Sequence, residues 1–229
     1  MLFETNVKTN NDNKLKIGDE EIFKKNCLKF LGMIIDEKLT WNEHIKQCKT
    51  KISRSLYYIK SIKKLLPKDK LLTPYYAMIY PYLEYGIILW GSTFDSYLNK
   101  LSIMQKKAIC IVCNAKYNDH TGPLFARKKV LKLSDIYHLQ LGKCMYSFTS
   151  NKLPNPLLTI YTPNYEIHNH NTRQRNNPHI KSHRTKRASN SITIKGPEYW
   201  HNIQQKVKDA QSFNGFNKAL KRELLATYV

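Results

Sequence analysis

Ile45, Cys48, Ile52, Leu56, Ile59 and Ile62 recur at steps of three and four residues, and this stripe constrains the fold more than any other feature of the 229-residue chain. Apolar side chains at that spacing share one face of an α-helix. A helix over 40–66 that is apolar on one side must bury that side against other elements, so the stripe predicts a helical bundle. Pro67 ends it, because proline cannot continue the intrahelical ladder. The other faces carry Lys46, Lys49, Lys51, Arg54, Lys60, Lys63 and Lys64, with no acidic residue between the first and the last. A helix face meant only for water usually mixes signs and gains from i,i+4 pairs. A face of one sign is better suited to phosphate groups.

Just before this helix, Cys27 to Trp41 reads CLKFLGMIIDEKLTW. Phe30, Leu31, Met33, Ile34 and Ile35 form an apolar run around Gly32, which predicts a short buried strand. Asp36-Glu37-Lys38 then reads as a polar turn, and Thr40 with Glu43 three residues on has the spacing of a capping box. Upstream, Lys14 to Ile17 alternates, Gly18-Asp19 is a turn signal, and Glu20 to Phe23 is a candidate return strand. A fold that starts there has exposed strand edges, which natural domains usually cover.

Further helices are expected over Lys70–Tyr80, over Tyr82–Trp90 behind Pro81, over Asp95–Asn114, from Gly122-Pro123, and from a Ser134-Asp135 cap to about Thr149. After Asn151 the composition changes: Pro154, Pro156 and Pro163 among asparagines mark a linker. From His168 to Lys195 the chain is basic without an acid, with Arg173, Arg175, Lys181, Arg184, Lys186, Arg187 and Lys195, and four histidines among them. Ser191 to Ile194 reads as a short strand, Gly196-Pro197 as a helix start, and Ser212 as the cap of a last helix. The expected fold is mainly α with a small N-terminal β-hairpin: a multi-helix bundle, then a basic linker and a C-terminal helical pair. The expected divisions are 1–39, 40–150, 151–195 and 196–229.

A formal charge of +21 and a pI near 9.7 bear most directly on function. Such an excess repels itself unless a polyanion lies nearby, and nucleic acid is the commonest such partner. Five cysteines leave one unpaired in any disulfide framework, and the N-terminal residues lack the layout of a secretory signal, so a nuclear or cytoplasmic location is expected rather than secretion. The most apolar stretch, Tyr75 to Trp90, contains Pro81 and Glu84 and is too short to span a membrane.

KFLGMIIDEKLTWNEHI, Lys29 to Ile45, resembles the segment that follows the catalytic palm in reverse transcriptases of non-LTR (LINE, jockey-like) retrotransposons. The similarity continues through YPYLEYGIILWG, LSIMQKKAI, HTGPLF, LSDIYHLQ and GPEYWHNI, in order, over nearly the whole chain. The resemblance implies that Phe30, Leu31 and Gly32 form the turn of a primer-grip hairpin, that the following helix opens the thumb, and that 40–150 is a thumb-like bundle. It also implies a palm sheet ahead of Met1, so that the chain is a C-terminal fragment of an RNA-directed DNA polymerase. Its partners would then be an RNA template, a DNA primer or their hybrid, together with the missing palm and fingers. Mg²⁺ is expected for the intact polymerase, and no cofactor for this chain.

Two-metal phosphoryl transfer needs carboxylates that hold ions about 4 Å apart. The family's aromatic-Ala-Asp-Asp turn is not in this sequence. Asp19-Glu20-Glu21 and Asp36-Glu37 fall in expected turns and read as solvated acids. Cys110 and Cys113 lie within an expected helix and read as buried small apolar residues rather than half of a zinc site. No catalytic or metal residue is assigned. What remains is binding, on two basic surfaces. One carries Lys46, Lys49, Arg54, Lys60, Lys63 and Lys64, the other Arg173, Arg175, Arg184, Lys186 and Arg187, with Trp41, His44, Tyr57 and Tyr58 near the first as candidates for stacking. The expected function is the nucleic-acid-binding C-terminal part of a reverse transcriptase, inactive on its own. The alternative is a standalone basic RNA- or DNA-binding helical protein.

Overall fold

A computed structural model describes residues 15–22, 25–67, 69–116, 118–167, 169–170 and 172–228. In chain order these form strands β1 (Leu15–Ile17), β2 (Glu20–Ile22), β3 (Cys27–Phe30) and β4 (Met33–Asp36). Helices follow: α1 (Asn42–Ile62), α2 (Leu72–Met78), α3 (Tyr80–Glu84), α4 (Ile87–Trp90), α5 (Asp95–Cys113), α6 (Thr121–Lys128) and α7 (Leu133–Thr149). The chain ends with α8 (Asn155–Leu158), α9 (Asn164–Ile167), α10 (Lys186–Ser189), α11 (Ile192–Asn202), α12 (Gln205–Lys208) and α13 (Phe213–Ala226). The fold is therefore mainly helical with small antiparallel hairpins at its start. Residues 1–14, Phe23 and His168, to which some sequence expectations refer, lie outside the described residues. Among the described residues no helix is long and apolar enough to cross a membrane.

The helix α7 shows why the bundle has this shape. Leu133, Ile136, Tyr137, Leu139, Leu141, Met145, Tyr146 and Phe148 are all buried, so its apolar positions go round the helix instead of keeping to one side. A helix of that kind must be covered on several faces. It packs against α3, α4 and α5 on the N-terminal side of the chain and against α11 and α13 on the C-terminal side. Tyr146 stacks on Phe216 of α13 at 4.5 Å. At Gly142 the two helices come so close that a Cβ would sit 2.4 Å from Leu220 Cδ2. The stripe of α1 (Ile45, Cys48, Ile52, Leu56 and Ile59) is buried as its spacing predicts, and α1 packs chiefly on α5. Burying each such side chain is worth roughly 1.5–3 kcal/mol before chain entropy is subtracted.

The strands differ from expectation in an informative way. The apolar run Phe30–Ile35 is not one buried strand. It is the two ends of a tight hairpin, with Phe30 opposite Met33. Leu31 (φ 46°) and Gly32 (φ 81°) form a two-residue turn with both φ positive, the geometry that suits the twist of paired strands. β3 is exposed along its length, whereas Met33 and Asp36 of β4 are buried.

The expected capping box is also absent, because the chain enters α1 through Trp41 in a left-handed conformation (φ 62°) and Thr40 stands one residue too early. Asp36 caps the junction instead. Its carboxylate accepts hydrogen bonds from Thr40 N (2.8 Å), Thr40 Oγ1 (2.9 Å) and Trp41 N (2.7 Å). It is buried, not a solvated turn acid. Glu43 turns to Lys46.

Two more boundaries move. Ser191–Ile194 is not a strand. Ser191 caps α11, its hydroxyl accepting from Thr193 N at 3.3 Å. Pro197 stands inside that helix rather than opening it. The β-branched pattern of Ile192, Thr193 and Ile194 finds no neighbouring strand among the described residues, and burial of Ile194 and Trp200 decides for the helix. Ser212 does cap α13, accepting from Gly215 N at 3.0 Å.

Candidate nucleic-acid interface

On a helix of 3.6 residues per turn, Lys46, Lys49, Ser53, Tyr57 and Lys60 fall on one outward stripe, with Lys64 just past its end. From Lys46 to Lys60 the stripe rises roughly 21 Å. Lys46, Lys49, Arg54, Lys60 and Lys64 are exposed, and Lys63 is half-buried. Arg54 and Tyr58 flank the stripe. The aromatic rings of Tyr57 (70 % exposed) and Tyr58 (56 % exposed) stand open beside the cations, 6.1 Å apart edge to face.

His44 is a different case. It is 3 % exposed, accepts from Ile34 N through Nδ1 at 3.3 Å, and lies 3.6 Å from Cys48 Sγ through Nε2. Burial, with a smaller contribution from Lys51, holds its pKa below the ordinary 6.5. It is a structural tie between β4 and α1 and cannot stack on a base. Trp41 is half-buried and packs edge to face on His44, so it serves the core.

Ion pairs hardly deplete the stripe. Lys46 meets Glu43 at 2.6 Å, with both side chains solvated, a contact worth little in water. Lys51 leans over the ring of Tyr82 at 5.2 Å. Among the described residues no carboxylate lies within ion-pair distance of Lys49, Arg54, Lys60, Lys63 or Lys64.

At the other end of α1 the β3–β4 turn projects outward. Phe30 is 56 % and Leu31 70 % exposed, Gly32 is exposed, and the Tyr85 hydroxyl donates to the Leu31 carbonyl at 2.5 Å. An apolar tip held by a hydrogen bond from elsewhere in the fold is suited to contact.

The second basic segment divides in two. Arg173 and Arg175 are exposed on a loop organised by buried Asn164, which donates from Nδ2 to Gln174 O at 2.8 Å and meets His179 Nδ1 at 3.1 Å. Tyr165 N adds a bond to Arg175 O at 3.0 Å. Arg173 lines a cavity of about 540 Å³ with His179 and His201. The pKa of His201 is also held down by burial, against a hydrogen bond to the Pro178 backbone. Arg184, Lys186 and Arg187 are exposed on and before α10. That end is not separate from the first surface: Arg187 donates to the Lys38 carbonyl at 2.9 Å, and Ser92 Oγ donates to Asn190 O at 2.5 Å. Lys186 and Arg187 share a groove of about 630 Å³ with Lys38, Thr40 and Trp41. The fold therefore brings the end of one basic segment to the root of the other.

The cations of α5, Lys106 and Lys107, join the basic surface only through packing. α1 and α5 lie side by side and run in the same direction. Just ahead of the two helices, Thr93 Oγ1 donates to Thr40 O at 2.7 Å, which ties the start of α5 to the start of α1. Lys60 and Lys63 near the end of α1 share a groove with Lys106, Lys107 and Ile111 of α5. Only the packing of α1 on α5 brings these cations together.

Asp36 spends both oxygens on Thr40 and Trp41, and among the described residues no three His, Cys, Asp or Glu side chains gather as metal ligands would. Cys110 is buried and Cys113 half-buried within α5.

No family model and no solved structure matches the chain. Three curated proteins do. A probable RNA-directed DNA polymerase from transposon X-element of Drosophila melanogaster is 25 % identical over 95 residues, which is 40 % of this chain and 10 % of that protein. The RNA-directed DNA polymerase from mobile element jockey of the same species is 32 % identical over 111 residues, 47 % of this chain and 12 % of the relative. The corresponding jockey protein of Drosophila funebris is 27 % identical over 111 residues. The matched stretch spans only about a tenth of each relative's length. At modest identity over about half of its length, the chain is thus related to the RNA-directed DNA polymerases of the jockey and X-element non-LTR retrotransposons.

Proposed function

We propose that this chain is the nucleic-acid-holding, thumb-like part of a retrotransposon RNA-directed DNA polymerase, and that it supplies binding rather than chemistry. The observation that carries the reading is the one-signed outer stripe of α1, with Tyr57 between Lys49 and Lys60 and hardly any carboxylate near it. Lysines at helical spacing on a rigid rod track a phosphate backbone, and exposed tyrosine rings offer faces for bases or sugars. Phe30, Leu31 and Gly32 form the contact tip that the resemblance assigns to the primer grip. Arg173, Arg175, Arg184, Lys186 and Arg187 extend the basic surface. Among the described residues no cluster of three or more His, Cys, Asp or Glu side chains is gathered as metal ligands would be, and in this reading the metal-holding acids belong to another part of the polymerase, so no catalytic step is assigned to these residues.

The test is fluorescence anisotropy of labelled single-stranded RNA, single-stranded DNA and an RNA–DNA hybrid with the purified chain. If six to ten phosphates are engaged, affinity falls by about 10³–10⁵ between 50 and 200 mM salt. Joint substitution of Lys46, Lys49 and Arg54 by Glu weakens binding while circular dichroism stays unchanged. Absence of binding at the lower salt concentration refutes the reading. Template-dependent primer extension by the chain alone with Mg²⁺ refutes its second half.

A further inference from the structure

Lys60 of α1, Lys63 at its C-cap, and Lys106 and Lys107 of α5 converge on a groove of about 600 Å³ that Ile103, Cys110 and Ile111 also line. Ile103 is 51 % exposed, so the groove offers apolar surface to a ligand. Among the described residues no carboxylate lies within ion-pair distance of Lys60, Lys63 or Lys106. Asp119 also lines the groove, and its carboxylate accepts from Lys116 N at 2.8 Å and closes its own turn. The groove is thus lined by four lysines together with apolar surface. Its volume lies in the range of clefts that bury a small ligand.

We infer that this groove is a binding site for one strand of a nucleic acid, with phosphates on the four lysines and a sugar or base face laid on Ile103 and Ile111. The inference rests on the proposed function and adds a location to it. Lys60 belongs both to the outer stripe of α1 and to the groove. A polyanion following the stripe therefore runs into the groove without a break, which an isolated anion site would not require. The parallel course of α1 and α5 makes the groove a seam between two rods, so half of its charge comes from a helix that carries no basic stripe in the sequence.

The experiment compares the full chain with Lys106→Glu/Lys107→Glu, with Lys60→Glu/Lys63→Glu, and with a charge-matched control, Lys206→Glu/Lys218→Glu, on α12 and α13. The probes are a labelled oligoribonucleotide, a duplex of the same length and a labelled poly-glutamate peptide, over the same salt range as above. The Lys106/Lys107 variant is expected to lose about tenfold or more in single-strand affinity. The slope of log affinity on log salt should shrink by roughly 0.7 for each phosphate no longer engaged. The control should change little, and duplex binding should change less than single-strand binding. Lysine-to-arginine exchange at the same two positions should retain affinity. If single-strand affinity and slope are unchanged in Lys106→Glu/Lys107→Glu while the Lys46/Lys49/Arg54 variant is impaired, the groove is not a strand site and the proposed function stands. If that variant loses only poly-glutamate binding, the groove docks an acidic protein segment and the inference is wrong. If the unaltered chain binds no oligonucleotide, both readings fall together.

Discussion

Asp36 carries more of the fold than its place in a polar tripeptide suggests. Leu39 (φ 52°) and Trp41 (φ 62°) are both left-handed, a conformation that costs a residue with a Cβ roughly 1–2 kcal/mol. The hydrogen bonds from Thr40 and Trp41 to the Asp36 carboxylate hold that stretch in place. Asp36→Ala is expected to destabilise the chain by about 1–3 kcal/mol, read as a lower urea midpoint. Asp36→Asn, which keeps one acceptor oxygen, should lose less.

His44 sets a pH limit. Burial lowers its folded pKa below 6.5, and His201 is shifted the same way for the same first cause. The unfolded chain then binds protons that the folded chain does not. Stability is full above the ordinary value and falls as pH drops below about 6.5, by at most about 1.4 kcal/mol per pH unit for each group. Denaturant titrations at several pH values should show this acid-side slope, and His44→Gln should flatten it. At this scale the sequence reading had the right residues in the wrong roles. The Thr40–Glu43 spacing is a real capping signal, but the left-handed entry at Trp41 moved the helix start by one residue, and no local pattern reports that.

Element by element, periodicity was the dependable guide. α1 and α5 were legible because a long helix that buries one face must repeat apolar residues at its own pitch. α5 even ends where Asn114 (φ 55°) suggested. Short apolar runs were not legible. Phe30–Ile35 and Ser191–Ile194 have too few residues to reveal a period. One became a hairpin because Gly32 permits the turn, and the other a helix because α7 offered it a surface.

The contact of α7 with α13 was also invisible in the sequence, since it depends on Gly142 lacking a side chain. With Leu220 Cδ2 2.4 Å from where a Cβ would stand and Ile203 Cδ1 3.5 Å away, Gly142→Val should cost about 1–3 kcal/mol by overpacking. Leu220→Ala should make room. In a double-mutant cycle the two changes should couple rather than add, and additive losses in thermal melts would place the close approach elsewhere.

For the molecule as a whole, an excess of +21 is a statement about association, and the fold determines what that charge can reach. In the sequence the two basic runs stand more than a hundred residues apart, Lys64 closing one and Arg173 opening the other. Folding brings Arg187 to Lys38 and sets α5 beside α1, relations between residues far apart in sequence that only packing creates. The stretch expected to be a linker is tied down as well. Tyr161 is buried and donates to Ile192 O at 3.1 Å. The run leaves from the end of α7 and returns through α11 and α13 to pack on α7 again. Both roots of the arginine-bearing run thus stand on one post. A ligand arriving there has side chains to order but little main chain to fold, so its association should carry the modest heat-capacity change of docking on a preorganised surface rather than the large one of coupled folding and binding.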